Sequence, residues 1–267
     1  SDLFRSFGRI AVEPRPYQLV PLMMAMRQAT TRLLIADDVG IGKTIESCLI
    51  AKELIERGEA DGLAVLCPAH LAEQWQRELR EKFHIDAELV LPSTVRRLER
   101  DCRGTESVFS RHRFVIVSLD YIKAARRVDD FIQHCPNLVI VDEAHTCSLG
   151  GGTGQANHQR HRLVHRLADD PERHLLLVTA TPHNGKEDPF RSLVSLLDQE
   201  FETNPEEVQD KERDKLKRKL AKHLVQRRRG DIAQYLGTTE FPERLERENT
   251  YKLGDDYKQL LDQVLAF

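Results

Sequence analysis

An α/β fold, with a parallel sheet covered by helices on both faces, is what this sequence predicts. Three features lead there. Short, wholly apolar runs recur along the chain; helical patterns lie between them; and the residues suited to phosphate chemistry fall where the apolar runs end. Continuous apolar runs mark strands buried on both faces, and their alternation with helices is the signature of parallel crossovers.

The elements follow in order. "RLLIA" (32–36) is the first strand, and a helical pattern over 43–57 follows it, ending near Gly58. "LAVLC" (63–67) is the second, with a helix over 70–83, and "AELVL" (87–91) is a weaker strand. "FVIVS" (114–118) and "LVIVD" (138–142) come next, then a helix over 157–169 and the strand "HLLLVTA" (174–180). Past residue 186 the character changes. A helix near 188–198 precedes "NPEEVQDKERDKLKRKLAKHLVQRRRGDI", which is charged, helical in pattern and basic in its second half; a last helix is expected over 254–266.

Composition bounds the reading. With 267 residues, 40% of them hydrophobic, the chain can hold one large α/β domain, or one domain with an appendage. The 31% of charged residues point to solvated helix faces, and a net charge of −3 argues neither for nor against nucleic acid. Cysteines 48, 67, 102, 135 and 147 form no CxxC pair and read as reduced thiols packed like small apolar residues. No apolar run approaches the roughly 18 residues of a membrane span, and the N-terminus lacks a signal-peptide pattern, so the expectation is a cytoplasmic protein with no membrane partner.

Two motifs carry the chemistry. "ADDVGIGKTIES" (36–47) ends as a phosphate loop does, in Gly42, Lys43 and Thr44, but has Asp37 where the usual pattern has its first glycine. It lies between a strand and a helix start, where backbone N–H groups and the helix terminus favour an anion. Gly40 and Gly42 supply the freedom of the turn. Lys43 is expected on the β and γ phosphates and Thr44 on Mg²⁺. In "LVIVDEAH" an apolar strand delivers Asp142, suited to the Mg²⁺ site, and Glu143, suited to polarising the attacking water. Alone, Asp-Glu-Ala-His could be a helix N-cap; behind a strand and paired with "GIGKT" it reads as the second half of a nucleoside triphosphate site.

"PRPYQ" (14–18), "DDVGIGKT", "DEAH" and "TATP" (179–182), in this order, resemble the superfamily 2 helicase-like ATPases, and among them most closely the Swi/Snf-type DNA translocases. Their phosphate loop reads Asp-Glu-x-Gly-x-Gly-Lys-Thr, so Asp37 is normal for them and Asp38 is a mild departure. "TATPHNG" is similar to the bacterial branch that includes the RNA-polymerase-associated and phage-defence translocases. The resemblance implies a RecA-like P-loop NTPase fold, ATP and Mg²⁺ as ligands, and ATP hydrolysis coupled to motion on double-stranded DNA. It makes Gln18 the adenine-reading amide and places Asp38, Gly40, Gly42, Lys43 and Thr44 around ATP. Thr179 and Thr181 become the hydroxyls that couple hydrolysis to movement. Pro68 in "CPAHLAEQW", and Ser118 and Tyr121 in "VSLDYI", become contacts to a nucleic acid backbone. Trp75 reads as core packing rather than a base-stacking platform.

Charge runs are less specific. Residues 96–113 hold six arginines against three acids, and residues 206–229 hold ten Lys or Arg against five acids. Such stripes bind phosphates without reading sequence, or are solvated helix faces. "QRRRGDI" resembles the Swi/Snf segment near the end of the first lobe, which gives Arg227, Arg228 and Arg229 a structural or interlobe role. His158, His161 and His165 share a helix face, but Arg160, Arg162 and Arg166 beside them disfavour a metal.

The expected organisation is an ATP-binding lobe at 1–199 and a helical appendage with the end of the lobe at 200–267. No second set of strands follows, so the resemblance implies a partner lobe outside this chain, with low activity without it. Besides the DNA translocase, two readings stay open: an RNA-directed or strand-separating helicase, and an ATP-sensing docking module. RNA polymerase or a defence system is the kind of complex the resemblance suggests.

Overall fold

The computed structural model describes residues 4–149, 155–181, 187–204 and 207–232. Residues Ser1–Tyr235 form one compact unit. The helix expected over 254–266, the glycine-rich loop at 150–154 and Pro182 of "TATP" lie outside the described residues.

Among the described residues, seven strands form one sheet: β1 (Arg32–Ile35), β2 (Leu63–Cys67), β3 (Glu88–Val90), β4 (Phe114–Ser118), β5 (Leu138–Val141), β6 (His174–Val178) and β7 (Leu224–Val225). Their order is β3-β4-β2-β5-β6-β1-β7, and every pairing is parallel. The first helices are α1 (Leu19–Ala25), α2 (Lys43–Arg57), α3 (Ala72–Phe83), α4 (Val95–Asp101) and α5 (Val108–Arg111). They are followed by α6 (Leu119–Ile122), α7 (Ala125–His134), α8 (Gln155–Ala168), α9 (Glu187–Ser195), α10 (Asp210–Leu220) and α11 (Arg229–Ile232).

The sheet separates two cores, as alternation along a strand requires. Leu33, Ile35, Val65, Ile140 and Leu176 pack on one side with Leu49 and Leu54 of α2 and Trp75 and Leu79 of α3. Leu34, Leu66, Val139, Val141 and Leu177 pack on the other with Phe131 of α7, Leu163 of α8 and Leu193 of α9. All five residues of β2 and of β6 are buried, which is why their sequence is a continuous apolar run. Each such Leu, Ile or Val contributes about 1.5–3 kcal/mol through burial.

Helix α2 ends where the sequence says it should. Gly58 adopts φ +74°, and Gly58 and Glu59 donate back to the carbonyls of Ile55 and Leu54. This left-handed cap satisfies carbonyls the helix would leave orphaned. Helix α3 starts two residues later than expected because Ala69–Leu71 forms a 3-10 turn after Pro68.

One expectation changes. The basic segment is not helical to its end: α10 stops at Leu220, and Leu224–Val225 becomes β7 beside Leu34 and Ile35. Main-chain bonds from Leu34 N to His223 O (2.8 Å) and from Ala36 N to Val225 O (2.7 Å) hold it there. The edge of β1 would otherwise present unpaired backbone groups.

The carboxyl ends of β1, β6 and β5 lie side by side, with Ile35 opposite Val178 and Val141 opposite Leu177. The residues that follow each strand therefore meet along one edge, where ligands of open parallel sheets bind.

Candidate functional site

The phosphate loop leaves β1 and turns into α2. Gly40 has φ +87° and Gly42 has φ +107°, values at which a side chain is strained. Gly42 is also crowded: a Cβ there would stand 2.3 Å from Gln18 Nε2. Lys43 opens α2, and its Nζ donates to the carbonyls of Asp37 (2.7 Å) and Asp38 (3.1 Å). Burial draws the Lys43 pKa below the ordinary lysine value, against the pull of Asp37, Glu143, Asp142 and Glu46. Thr44 follows within the first turn of α2, whose leading amides lack intrahelical acceptors. The loop thus gathers a cation, a hydroxyl and the positive end of a fifteen-residue helix.

Asp142 directly follows β5. Its carboxylate accepts from the Trp75 indole N–H at 2.8 Å and from the Glu143 backbone N–H at 2.9 Å. Burial raises its pKa, while the Trp75 and Glu143 donors oppose the rise. Glu143 occupies the left-handed region at φ +51°, a strained setting for a residue with a side chain. Its carboxylate lies 3.2 Å from His145 Nδ1, and this contact leads the causes that hold its pKa below the usual carboxylate range. His145 Nδ1 is also 3.0 Å from Thr179 Oγ1, and the Thr181 N–H donates to the same oxygen at 3.1 Å. One imidazole therefore joins the end of β5 to the end of β6. Thr179 is buried.

Gln18 sits in a 3-10 turn (Pro16–Gln18) that leads into α1. Its Nε2 donates to Ile41 O at 3.3 Å, its Oε1 accepts from Arg15 N at 3.0 Å, and the Tyr17 hydroxyl donates to Ile41 O at 3.2 Å. The amide keeps one donor hydrogen and one lone pair for a further partner. Asp38 accepts from the Arg229 N–H at 3.1 Å.

The structure thus brings Gln18, Asp38, Gly40, Gly42, Lys43, Thr44, Asp142, Glu143, Thr179 and Thr181 to one edge of the sheet. The oxygens of Thr44 and Asp142 are hard donors. With few protein ligands on offer they fit Mg²⁺, which fills its octahedron with water and phosphate oxygens.

The candidate nucleic acid contacts stand apart, at the ends of β2 and β4. Pro68 follows β2, while Ser118 and Tyr121 are 1% and 8% exposed. The Ser118 hydroxyl caps α6 by accepting from Tyr121 N, and the Arg127 guanidinium stacks over the Tyr121 ring at 4.0 Å. Both residues line a cleft of about 710 Å³ with Ala69, Arg96 and Arg127. The basic side chains of the cleft are thus arginines of α4 and α7.

For four residues here sequence reasoning missed the contacts they make. Trp75 is core, as expected, yet its polar tip reaches Asp142. His145 lay within "DEAH" without a role. Glu46 is fully buried one turn into α2, and Arg227 packs against it and Asp37. A carboxylate on the buried face of α2, and the structural or interlobe role that "QRRRGDI" gave Arg227, were the local signs of the last pair.

Comparison with known proteins bears on the family and the fold. The model of the SNF2-related domain matches residues 17–242. The uncharacterized ATP-dependent helicase YqhH of Bacillus subtilis (strain 168) is 32% identical over 184 residues, 69% of this chain and 29% of that protein. The RNA polymerase-associated protein RapA of Stutzerimonas stutzeri (strain A1501) is 32% identical over 192 residues, 72% of this chain and 19% of RapA. The chain therefore spans under a third of these relatives. The SWI2/SNF2 ATPase core of Sulfolobus solfataricus, solved in complex with double-stranded DNA, superposes with a TM-score of 0.61 at 18% identity. The match covers 84% of this chain and 46% of that one, which establishes the RecA-like fold. This chain belongs to the SNF2-related domain family, as the N-terminal lobe of a Swi/Snf-type helicase-like ATPase.

Proposed function

We propose that this chain is the first ATPase lobe of an ATP-dependent double-stranded-DNA translocase or remodeller, binding Mg-ATP and the nucleic acid backbone. The observation that carries the reading is the gathering of Lys43, Asp142 and an ionised, conformationally strained Glu143 at adjoining strand ends. In this reading Lys43 and the first amides of α2 hold the β and γ phosphates, and Gln18 reads the adenine edge. Thr44 and Asp142 hold Mg²⁺, which when bound draws charge from the phosphate oxygens. Glu143 accepts a hydrogen bond from the attacking water and orients it. His145 links that carboxylate to Thr179, so a change at Glu143 is felt at the "TATP" segment.

The partners are proposed on the same footing. Double-stranded DNA is favoured because a structure of this fold was solved with it, and RNA polymerase is suggested by the name of the RapA relatives. A defence complex is the other setting. We take 1–199 as the nucleotide lobe, 200–267 as an appendage that includes the end of that lobe with β7, and the cytoplasm as the location; no helix among the described residues is long and apolar enough to cross a membrane. A second RecA-like lobe would supply the arginine that completes such sites, worth about 10³–10⁵ in rate, so this chain alone turns over slowly.

Steady-state ATP hydrolysis by the full-length protein, with duplex DNA, duplex RNA or neither, tests the proposal. Stimulation by duplex DNA that disappears in Glu143→Gln supports it. Stimulation by RNA alone, or unwinding of a tailed duplex, favours the helicase reading suggested by the name of YqhH. ATP binding with no turnover under any condition points to an ATP-sensing docking module.

A further inference from the structure

We propose that Arg227 is a positioning residue for the nucleotide, clamping the Tyr17–Gln18 turn to the phosphate loop, with Asp37 as its anchor. The inference rests on the Mg-ATP reading above and explains the residue that stands where other phosphate loops carry glycine.

Asp37 is fully buried, and a buried carboxylate requires a partner. Arg227 meets it with both main chain and side chain. Its backbone N–H donates to Asp37 Oδ1 at 2.7 Å, and its Nε lies 3.2 Å and 3.1 Å from the two carboxylate oxygens. Nη2 is shared between Asp37 and the buried Glu46 of α2, while Nη1 donates to the Tyr17 carbonyl. The guanidinium carbon is 5.7 Å from the centre of the Tyr17 ring. One planar fork thus touches the start of the phosphate loop, the helix that follows it and the turn carrying Gln18.

The main chain reinforces the geometry. Arg227 follows shortly after β7, and its carbonyl accepts from Asp38 N at 3.1 Å. Two residues on, the Arg229 side chain donates to Val39 O at 2.9 Å and 2.7 Å. The basic run therefore brackets residues 37–39 from behind. On the other side of the loop, the Tyr17 hydroxyl and the Gln18 amide both donate to Ile41 O. The Tyr17–Gln18 turn has two tethers, Ile41 from the loop and Arg227 from the C-terminal segment. A glycine at 37 could not supply the anchor, and a lysine at 227 could not reach three partners at once.

A merely structural ion pair would affect folding and leave nucleotide choice untouched. A clamp that sets the Tyr17–Gln18 turn affects the base more than the phosphates. The test measures binding of fluorescent ATP and GTP analogues with Mg²⁺ to this chain, alongside thermal melting. Arg227→Lys should weaken ATP binding about tenfold, the worth of one hydrogen bond, and GTP binding less, so the preference for ATP shrinks. Lys43→Ala should weaken both nucleotides alike and keep the preference. The triple variant Asp37→Asn, Glu46→Gln, Arg227→Gln removes the ionisable groups of this cluster together and should show the same loss of preference if Arg227→Lys fails to fold. Unchanged ATP and GTP affinities in folded variants overturn the clamp while the ATP reading stands. A wild-type chain that binds neither nucleotide overturns the ATP reading, and the clamp with it.

Discussion

Replacing Trp75 with phenylalanine removes one hydrogen-bond donor from Asp142 while keeping an aromatic ring in the core. The indole N–H is 2.8 Å from the Asp142 carboxylate, and Trp75 is 2% exposed, so water has little access to replace it. Hydrogen bonds to charged groups are worth about 1.5–3 kcal/mol, which corresponds to roughly 10- to 100-fold in an equilibrium constant. If Asp142 holds Mg²⁺ and the indole sets the carboxylate's orientation, the Mg²⁺ concentration that half-saturates nucleotide binding rises in the variant, by at most that factor. The sign of the pH dependence follows. Burial already raises the Asp142 pKa and Trp75 opposes the rise, so the variant's carboxyl protonates more readily and its Mg²⁺ deficit is larger at pH 6 than at pH 8. The assay is a Mg²⁺ titration of a fluorescent ATP analogue at both pH values, with melting curves beside it. Leu79→Ala is the control: one turn further along α3 and fully buried, it costs about 2–5 kcal/mol of stability and touches no polar group of the site. If the two variants move the Mg²⁺ midpoint equally, or neither moves it, while both lower Tm, the indole acts only as packing and the reasoning fails.

Gly42→Ala combines strain at φ +107° with a Cβ 2.3 Å from Gln18 Nε2, and ATP affinity by calorimetry should fall at least tenfold, about 1.4 kcal/mol. Gly58→Ala, at φ +74° with open space around it, separates the two causes: it should lower Tm by a few degrees and leave ATP binding alone. Burial, followed by the Asp37 carboxylate, lifts the Glu46 carboxyl from 4.5 to about 8, and Arg227 offsets this only in part. The folded state therefore keeps a proton that the unfolded chain releases. Stability tied to this group is full below pH 4.5 and is lost as pH rises toward about 8, by at most about 1.4 kcal/mol per pH unit. Chemical denaturation between pH 5.5 and 8.5 should show the wild type losing stability relative to Glu46→Gln; parallel curves would refute the assignment.

Much of this molecule can be read locally. Six of the seven strands announce themselves as apolar runs because both faces of the sheet are covered, so no alternation with polar residues is needed. The placement of "DDVGIGKT" and "LVIVDEAH" is equally legible, since each stretch is a run of neighbours at the end of a strand. The chain's membership in the SNF2-related family was likewise visible in four short motifs and their order.

What the sequence could not disclose depends on contacts far apart along the chain. A two-residue strand such as Leu224–Val225 has no periodicity to detect, and it exists because the edge of β1 requires a backbone partner. The charged stretch before it suggested continued helix, and only the sheet ended that pattern. Asp37 and Arg227 are 190 residues apart, and neither type of residue suggests burial alone. Trp75 was legible as core, but the reach of its N–H to Asp142 depends on how α3 lies against β5. Local sequence determined the strands, the turns and the reactive groups, because short-range sterics and hydrophobic burial act between neighbours. The tertiary structure decided which buried charges and donors hold those groups in place, because only the folded sheet brings the partners within hydrogen-bonding distance.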